Sequence, residues 1–121
     1  MRPDLSLAGG ITNIRKIAAI AEANYVGVVP HNPLSPVSTA ACLQLAACIP
    51  NFALQEYPTG EHEPPKSDIV KTPLRVEDGY LIIPDVPGIG IELADDAQER
   101  HPPLPREVVT RLNVDGSVMD Q

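Results

Sequence analysis

The sequence predicts an α/β fold of alternating strands and helices, and three observations predict it. Over residues 1–57, short apolar runs alternate with stretches whose apolar residues fall at helical spacing. Residues that start or stop helices stand at the joints between them. The connections are short enough for parallel strands joined by right-handed crossovers.

The elements follow in order. "RPDLS" opens as a short extended piece, and Gly9-Gly10 breaks it. In "ITNIRKIAAIAEAN" the residues Ile11, Ile14, Ala18 and Ala21 share one helical face, which Ile17 and Ile20 widen. Thr12 is the expected N-cap and Asn24 the expected stop, since Asn tolerates a left-handed turn. "YVGVVPH" is nearly all apolar, as a strand buried on both faces should be. Ser35 then caps a second helix with Pro36 at its first position, where a proline fits. That helix is expected to run to about Cys48, before Pro50. A third strand is expected at Phe52–Glu56, which completes a βαβαβ order.

Beyond Tyr57 the pattern changes, and nine of the 14 prolines lie from Pro58 onward. "PTGEHEPPKSDIVKTP" reads as a polar loop. "LRVEDGYLII" reads as a hairpin turning at Glu77-Asp78-Gly79. In "PDVPGIGIEL" a GxG is present, but no helix follows it, so its glycines are expected to admit close backbone contact rather than a dinucleotide. "DDAQERH" is expected to form a helical turn or two, and "TRLNVDGSVMDQ" a terminal hairpin around Asp115-Gly116.

Composition excludes several classes of function. There are 16 acidic residues against nine basic ones, for a net charge of −7, so no basic patch suits a phosphate backbone and nucleic acid is not an expected partner. No apolar run reaches membrane-spanning length, and "MRPDLSLAGG" lacks the apolar core of a signal peptide, so no membrane is expected and cytoplasm is the default. Cys42 and Cys48 are spaced like neither a zinc knuckle nor a redox pair, and are expected to be reduced, buried thiols. "GEHEPP" imitates a metal site through Glu61, His62 and Glu63, but its proline-flanked polar setting reads as solvated loop. His101 in "ERHPPLP" reads as irregular tail.

Three ionisable residues stand at or just past the ends of the three successive strands: Asp4, His31 and Glu56. In a parallel sheet or barrel these ends share one face, and active sites are built there. Taken one at a time, Asp4 could serve as a turn former, His31 as a loop residue and Glu56 as a surface charge. Together they make coherent chemistry. A carboxylate on one imidazole nitrogen fixes the tautomer and aims the other nitrogen at a substrate, which suits general acid–base work near neutral pH. A second acid across the mouth can hydrogen-bond an oxygen on which charge develops.

The blocks "RPDLSLAGGITNIRKIAAIAE", "VVPHNPLSPVSTAACLQLA" and "IPNFALQEYP" resemble the end of the (β/α)8 barrel in the enolase superfamily. The likeness is to its mandelate racemase/muconate lactonizing enzyme-like branch, above all to acid-sugar dehydratases of the galactonate type. "DGYLIIPDVPGIGIEL" resembles that group's C-terminal return segment. The resemblance implies a partial TIM barrel, from the end of strand six through strand eight, and a Pro-rich return segment with a short β-hairpin. It divides the chain into barrel units at 1–57 and, at 58–121, an extension expected to pack on the barrel and a capping domain. It also implies that Asp4 and His31 form the family's Asp–His dyad, and that Glu56 hydrogen-bonds the substrate carboxylate or enediolate. Asn32 and Tyr57 adjoin the mouth as expected substrate contacts.

The same resemblance implies a Mg²⁺ enzyme. Its metal carboxylates belong to earlier barrel strands, so no metal ligand is expected in this chain. A complete barrel takes about 250 residues, so the chain is expected to be roughly the last third of an enzyme and inactive by itself. The implied reaction removes the α-proton of a small sugar acid and eliminates water to a 2-keto-3-deoxy acid, a hydro-lyase activity in a homo-oligomeric parent. A racemase or epimerase of the same superfamily is the alternative within that chemistry. A truncated chain with no function of its own is the alternative outside it.

Overall fold

Three extended stretches lie side by side, in sequence order and all parallel, in a computed structural model that describes residues 1–105, 111–117 and 119. The middle stretch, residues 27–31, is bonded on both edges. Met1 donates its amino terminus to Gly27 O at 2.7 Å. Val29 N–H reaches Met1 O at 3.0 Å, and His31 N–H reaches Pro3 O at 2.9 Å. On the other edge Val28 N–H donates to Asn51 O at 2.8 Å and Ala53 N–H to Val28 O at 2.9 Å.

The expected strands at 25–31 and 52–56 are thinner than the sequence suggests. They survive as two bridged pairs, Asp4 with His31 and Val28 with Phe52. Proline accounts for the thinning. In this alternation the N–H of residue 3 would donate toward Val29 and that of residue 30 toward the 51–53 stretch. Pro3 and Pro30 have no N–H to give. Tyr25, expected to begin the middle strand, is fully exposed with φ 56° and belongs to the turn after the first helix.

Helix α1 spans Gly10–Ala23. Its cap is Gly9 rather than the expected Thr12, because the chain enters with φ 89°, which glycine alone takes without strain. A Cβ on Gly9 would also collide with the Asn13 side chain. Asn24 ends the helix at the expected place but not by a left-handed turn, since its φ is −110° and Tyr25 takes the positive φ; its side chain instead donates to Ile20 O at 2.8 Å. Ile14, Ala18 and Ala21 are buried, and Ile11 and Ile17 pack beside them, but Ile20 faces solvent.

Helix α2 spans Pro36–Ala46, with Ser35 accepting from Ser38 N–H at 3.4 Å. It is buried almost all round because it is packed from two sides, which explains its unbroken small and apolar composition. On one side Ala41, Cys42 and Leu45 meet Leu5 and Ile14. On the other, Ala40 and Leu43 meet Leu74, Leu81, Ile89 and Ile91 of the return segment. Cys42 is buried as expected, whereas Cys48 lies beyond the helix end and is exposed.

In the return segment, Val70 and Leu93 pair antiparallel. Lys71 N–H donates to Glu92 O and Ala94 N–H to Ile69 O. The hairpin forms where expected, with β1 at Val76–Glu77 and β2 at Tyr80–Leu81. Asp78 and Gly79 both take positive φ, 49° and 82°, the two-residue turn whose twist matches a hairpin. Of the two GxG glycines only Gly90 admits a close approach, where a Cβ would lie 2.6 Å from Pro84 Cβ; a Cβ on Gly88 would meet nothing within 4 Å, and that glycine answers instead to its φ of 77°. One helical turn, α3 at Ala97–Arg100, follows. The expected terminal hairpin is seen in part, with Asn113 N–H donating to Ser117 O at 2.8 Å and Met119 N–H to Arg111 O at 2.9 Å. Residues 110, 118, 120 and 121 of that stretch lie outside the described residues. Among the described residues no helix is long and apolar enough to cross a membrane.

Candidate active site

The register of the parallel stretches places Asp4 and His31 opposite one another as a bridged pair. Their side chains meet, with His31 Nδ1 2.9 Å from Asp4 Oδ2. Asp4 is held from its other side as well. Its Oδ1 accepts from Ser6 N–H at 2.8 Å and Leu7 N–H at 3.0 Å. Asp4 is thus both the turn former and the partner of the histidine, and its side chain is only 9% exposed. Burial by itself would raise the Asp4 carboxyl. The hydrogen bonds from Leu7, His31 and Ser6 outweigh burial and hold it below the ordinary carboxylate value. Ionised Asp4 can only accept, so His31 Nδ1 carries a proton, and in the neutral ring the free lone pair is then on Nε2. The His31 side chain is about one-third exposed, so the ring stands at the protein surface on a rigid mount.

Glu56 comes to the same turn from the third stretch. Its Oε2 accepts from the backbone N–H of Asn32 at 3.0 Å. Arg2 Nη2 reaches its two oxygens at 3.1 and 3.3 Å. The carboxylate is therefore fixed by the residue after His31 and by the residue two before Asp4.

Asn32 is fully buried. Its side chain points away from the His31 ring, donates to Thr39 Oγ1 on α2, and lies 3.5 Å from Glu56 O. It reaches the mouth through its backbone. Tyr57 is half-buried and stacks on the His62 ring, centroids 6.3 Å apart and planes 14° apart. Burial, with the nearby Glu61, pushes its hydroxyl up. Among the described residues no hydrogen bond joins Tyr57 to Asp4, His31 or Glu56.

The loop beyond Tyr57 departs from expectation at one residue. His62 and Glu63 are exposed, as a solvated loop requires, but Glu61 is buried at 2% exposure. Its Oε2 lies 2.7 Å from Thr39 Oγ1, and its Oε1 has no partner. Nothing in the polar, proline-rich "GEHEPP" signals this, since the partner lies 22 residues earlier. Thr39 and Arg2 are likewise site residues that carry no local motif. Among the described residues no group of three His, Cys, Asp or Glu side chains could hold a metal ion.

A family model described as enolase C-terminal domain-like matches residues 1–97. The D-galactonate dehydratase of Variovorax paradoxus (strain S110) is 40% identical over 128 aligned residues, covering 99% of this chain and 33% of that protein. The chain thus spans about a third of the length of the curated relatives it matches. Among solved structures, a protein of Burkholderia SAR-1 provisionally named a mandelate racemase/muconate lactonizing enzyme superposes with a TM-score of 0.76 at 44% identity. That match covers 83% of this chain and 25% of the other. An enolase of Agrobacterium radiobacter, provisionally named a galactarate dehydratase and bound to Na and L-malate, superposes with a TM-score of 0.77 at 34% identity. It covers 97% of this chain and 33% of the other.

Proposed function

This chain belongs to the enolase C-terminal domain-like family, and from that premise we propose that it is the C-terminal part of an acid-sugar dehydratase of the galactonate type. The observation that carries the reading is the Asp4–His31 pair, 2.9 Å apart across parallel neighbours and aimed by the two backbone N–H bonds on Asp4. On this reading residues 1–57 are barrel units and 58–121 are an extension that would pack on the barrel and a capping domain. The enzyme acts in the cytoplasm on a small sugar acid, as a homo-oligomer.

His31 Nε2 takes the proton from the carbon next to the substrate carboxylate. Asp4 steadies the imidazolium that results, and because it already holds Nδ1–H the ring need not turn to do so. The electron pair left at that carbon passes onto the carboxylate as an enediolate and then forms the double bond to the next carbon, whose hydroxyl takes the proton back from the His31 imidazolium and leaves as water. The enol then becomes a 2-keto-3-deoxy acid. Glu56 stands at the carboxylate end of the substrate, and a carboxyl proton shared between the two would meet the negative charge that grows there. Asn32 contributes by gripping Glu56, and Tyr57 lines the approach. The likeness to the enolase superfamily, including a relative bound to a cation, supports a Mg²⁺-dependent parent enzyme. The described residues gather no metal-binding group, so they do not fit that ion, and its ligands are proposed to lie in other barrel strands.

The test is conversion of a panel of sugar acids by the complete enzyme in deuterated water, with the keto product trapped by semicarbazide. A galactonate-like acid is expected to give product. Inversion or deuterium exchange at the α-carbon without keto product would replace this reading by the racemase one. No exchange with any acid would remove His31 from its role.

A further inference from the structure

Glu61 takes no part in the proton transfer, yet it is among the largest side chains completely buried in the molecule. It sits at the end of a relay. Glu61 Oε2 is 2.7 Å from Thr39 Oγ1, which receives an N–H from the Asn32 amide. The peptide N–H of Asn32 holds Glu56 Oε2 at 3.0 Å.

The hydroxyl of Thr39 decides the state of this relay. It has one proton and two lone pairs. Asn32 fills one lone pair, and two oxygens remain within reach, Glu61 Oε2 and Ser35 O at 3.2 Å. Were Glu61 ionised, the Thr39 proton would turn to it, and an unpaired carboxylate oxygen, Oε1, would remain in the interior. With a proton on Glu61 Oε2, that proton fills the second lone pair of Thr39 and the Thr39 proton serves Ser35 O. Every capacity of the hydroxyl is then used. What remains unpartnered in the relay is then neutral, the carbonyl oxygen of Glu61 and the amide oxygen Oδ1 of Asn32, and a neutral oxygen costs far less to bury than a charge. Of the charged and titratable groups near Glu61, Tyr57 and Cys42 are pushed toward their neutral forms and bring no charge of their own, while Lys66, whose ammonium also donates to Thr59 O at 2.9 Å, favours the carboxylate. Burial raises the Glu61 carboxyl more than Thr39 and Lys66 lower it.

We propose that Glu61 is a proton-bearing positioning residue that, through Thr39 and Asn32, fixes the peptide N–H holding the Glu56 carboxylate at the mouth. Its consequence for catalysis rests on the reading of Glu56 as the group serving the substrate carboxylate; its protonation does not.

The experiment uses the complete enzyme and three variants. Glu61→Gln supplies an amide N–H in place of the carboxyl proton, and its KM is expected to stay within about twofold of the parent's. Glu61→Met has similar length and no donor, and Thr39→Val removes the hydroxyl. Each is expected to raise KM about tenfold with kcat little changed, the loss of one buried hydrogen bond. Infrared spectra at neutral pH should show a protonated-carboxyl carbonyl band that Glu61→Gln lacks. This band needs no substrate, so its presence in an enzyme that dehydrates nothing sinks the functional reading alone. Its absence from the parent overturns the proposal, even if Glu61→Met does not fold. Equal loss in the Gln and Met variants, or a fall in kcat with KM unmoved, overturns it too.

Discussion

Replacing Asp4 by Asn separates what the carboxylate does for the fold from what it does for the chemistry. The amide oxygen can keep the two N–H bonds from Ser6 and Leu7, at 2.8 and 3.0 Å, so the turn survives. Those bonds change from charge-assisted to neutral, and the expected stability cost is about 1–2 kcal/mol. At Oδ2 the loss is of another kind. The amide NH₂ would face His31 Nδ1 and donate to it, so the ring must carry its proton on Nε2. The nitrogen meant to accept the α-proton is then blocked, and no negative charge steadies the imidazolium. General acid–base catalysis of this kind contributes roughly 10²–10⁴ in rate, about 3–5 kcal/mol, well above the folding cost. The expected outcome in the complete enzyme is turnover lower by at least two orders of magnitude, with a melting temperature only a few degrees lower. Keto-acid formation gives the rate, and nitrogen-15 NMR of His31 reports the tautomer. The double variant with His31→Asn should lose little more than the worse single, because the pair acts as one unit. Turnover within tenfold of the parent in a folded Asp4→Asn protein, or losses that simply multiply, would refute the dyad and leave Asp4 as a turn former.

Four further outcomes follow from the geometry. Asp4 is depressed below its ordinary 3.8 in the folded state, so its stabilisation is present above that value and is lost as pH falls through the folded pKa; the stability gap between parent and Asp4→Asn, followed by denaturant titration, should begin to narrow only below 3.8 and go on narrowing as the pH falls further. Glu61 is raised above its ordinary 4.5, so its contribution is complete below that value and declines as pH rises toward the folded pKa; Glu61→Gln should therefore gain stability relative to the parent between acid and neutral pH, and a constant difference would contradict a neutral Glu61. Cys42 is buried and pushed up to about 11, whereas Cys48 is exposed, so a thiol reagent at neutral pH should modify Cys48 and spare Cys42 until unfolding, as peptide mapping would show. Gly90→Ala puts a Cβ 2.6 Å from Pro84 Cβ at a residue with φ 81° and should cost about 2–3 kcal/mol by overpacking and left-handed strain together; thermal melts that move by less than about 1 kcal/mol would show that the Pro84 segment yields freely.

The parts of this structure that were legible in the sequence are those set by neighbours along the chain. Ser35-Pro36 starts α2 because a cap and a pre-shaped first residue act within one turn. Asp78-Gly79 makes the hairpin because the turn's own dihedrals demand such residues. The Asp4–His31 pair was legible for a less local reason: parallel strands end on one face, so ionisable residues at successive strand ends are brought into company. What stayed hidden depends on contacts between distant residues. Glu61 lies in a stretch whose composition is that of solvated loop, and its burial is imposed by Thr39, 22 positions earlier. The Arg2–Glu56 contact spans 54 positions. The thinness of the strands was legible in principle, since Pro3 and Pro30 visibly lack the N–H groups a continuous ladder needs.

Asn32 shows how far the period of a strand carries an argument about chemistry. Successive side chains of an extended stretch leave on opposite faces. With His31 turned toward Asp4 and the mouth, the next side chain must enter the layer between the parallel stretches and α2, where it meets Thr39. Its backbone N–H is then free to point at Glu56. An apolar side chain at position 32 would satisfy burial equally well but would let the peptide rotate. The amide ties that peptide to α2, and α2 is fixed from both sides by α1 and the return segment. The proposed acid–base group and the peptide N–H that holds the proposed substrate ligand thus stand on one turn. One partner of that turn is the neighbouring strand, which holds His31, and the other is a buried helix, which holds Asn32 and through it Glu56. A substitution on the α2 face toward the return segment, such as Leu43→Ala, is accordingly expected to disturb Glu56 before it disturbs the dyad, and so to raise KM before it lowers kcat.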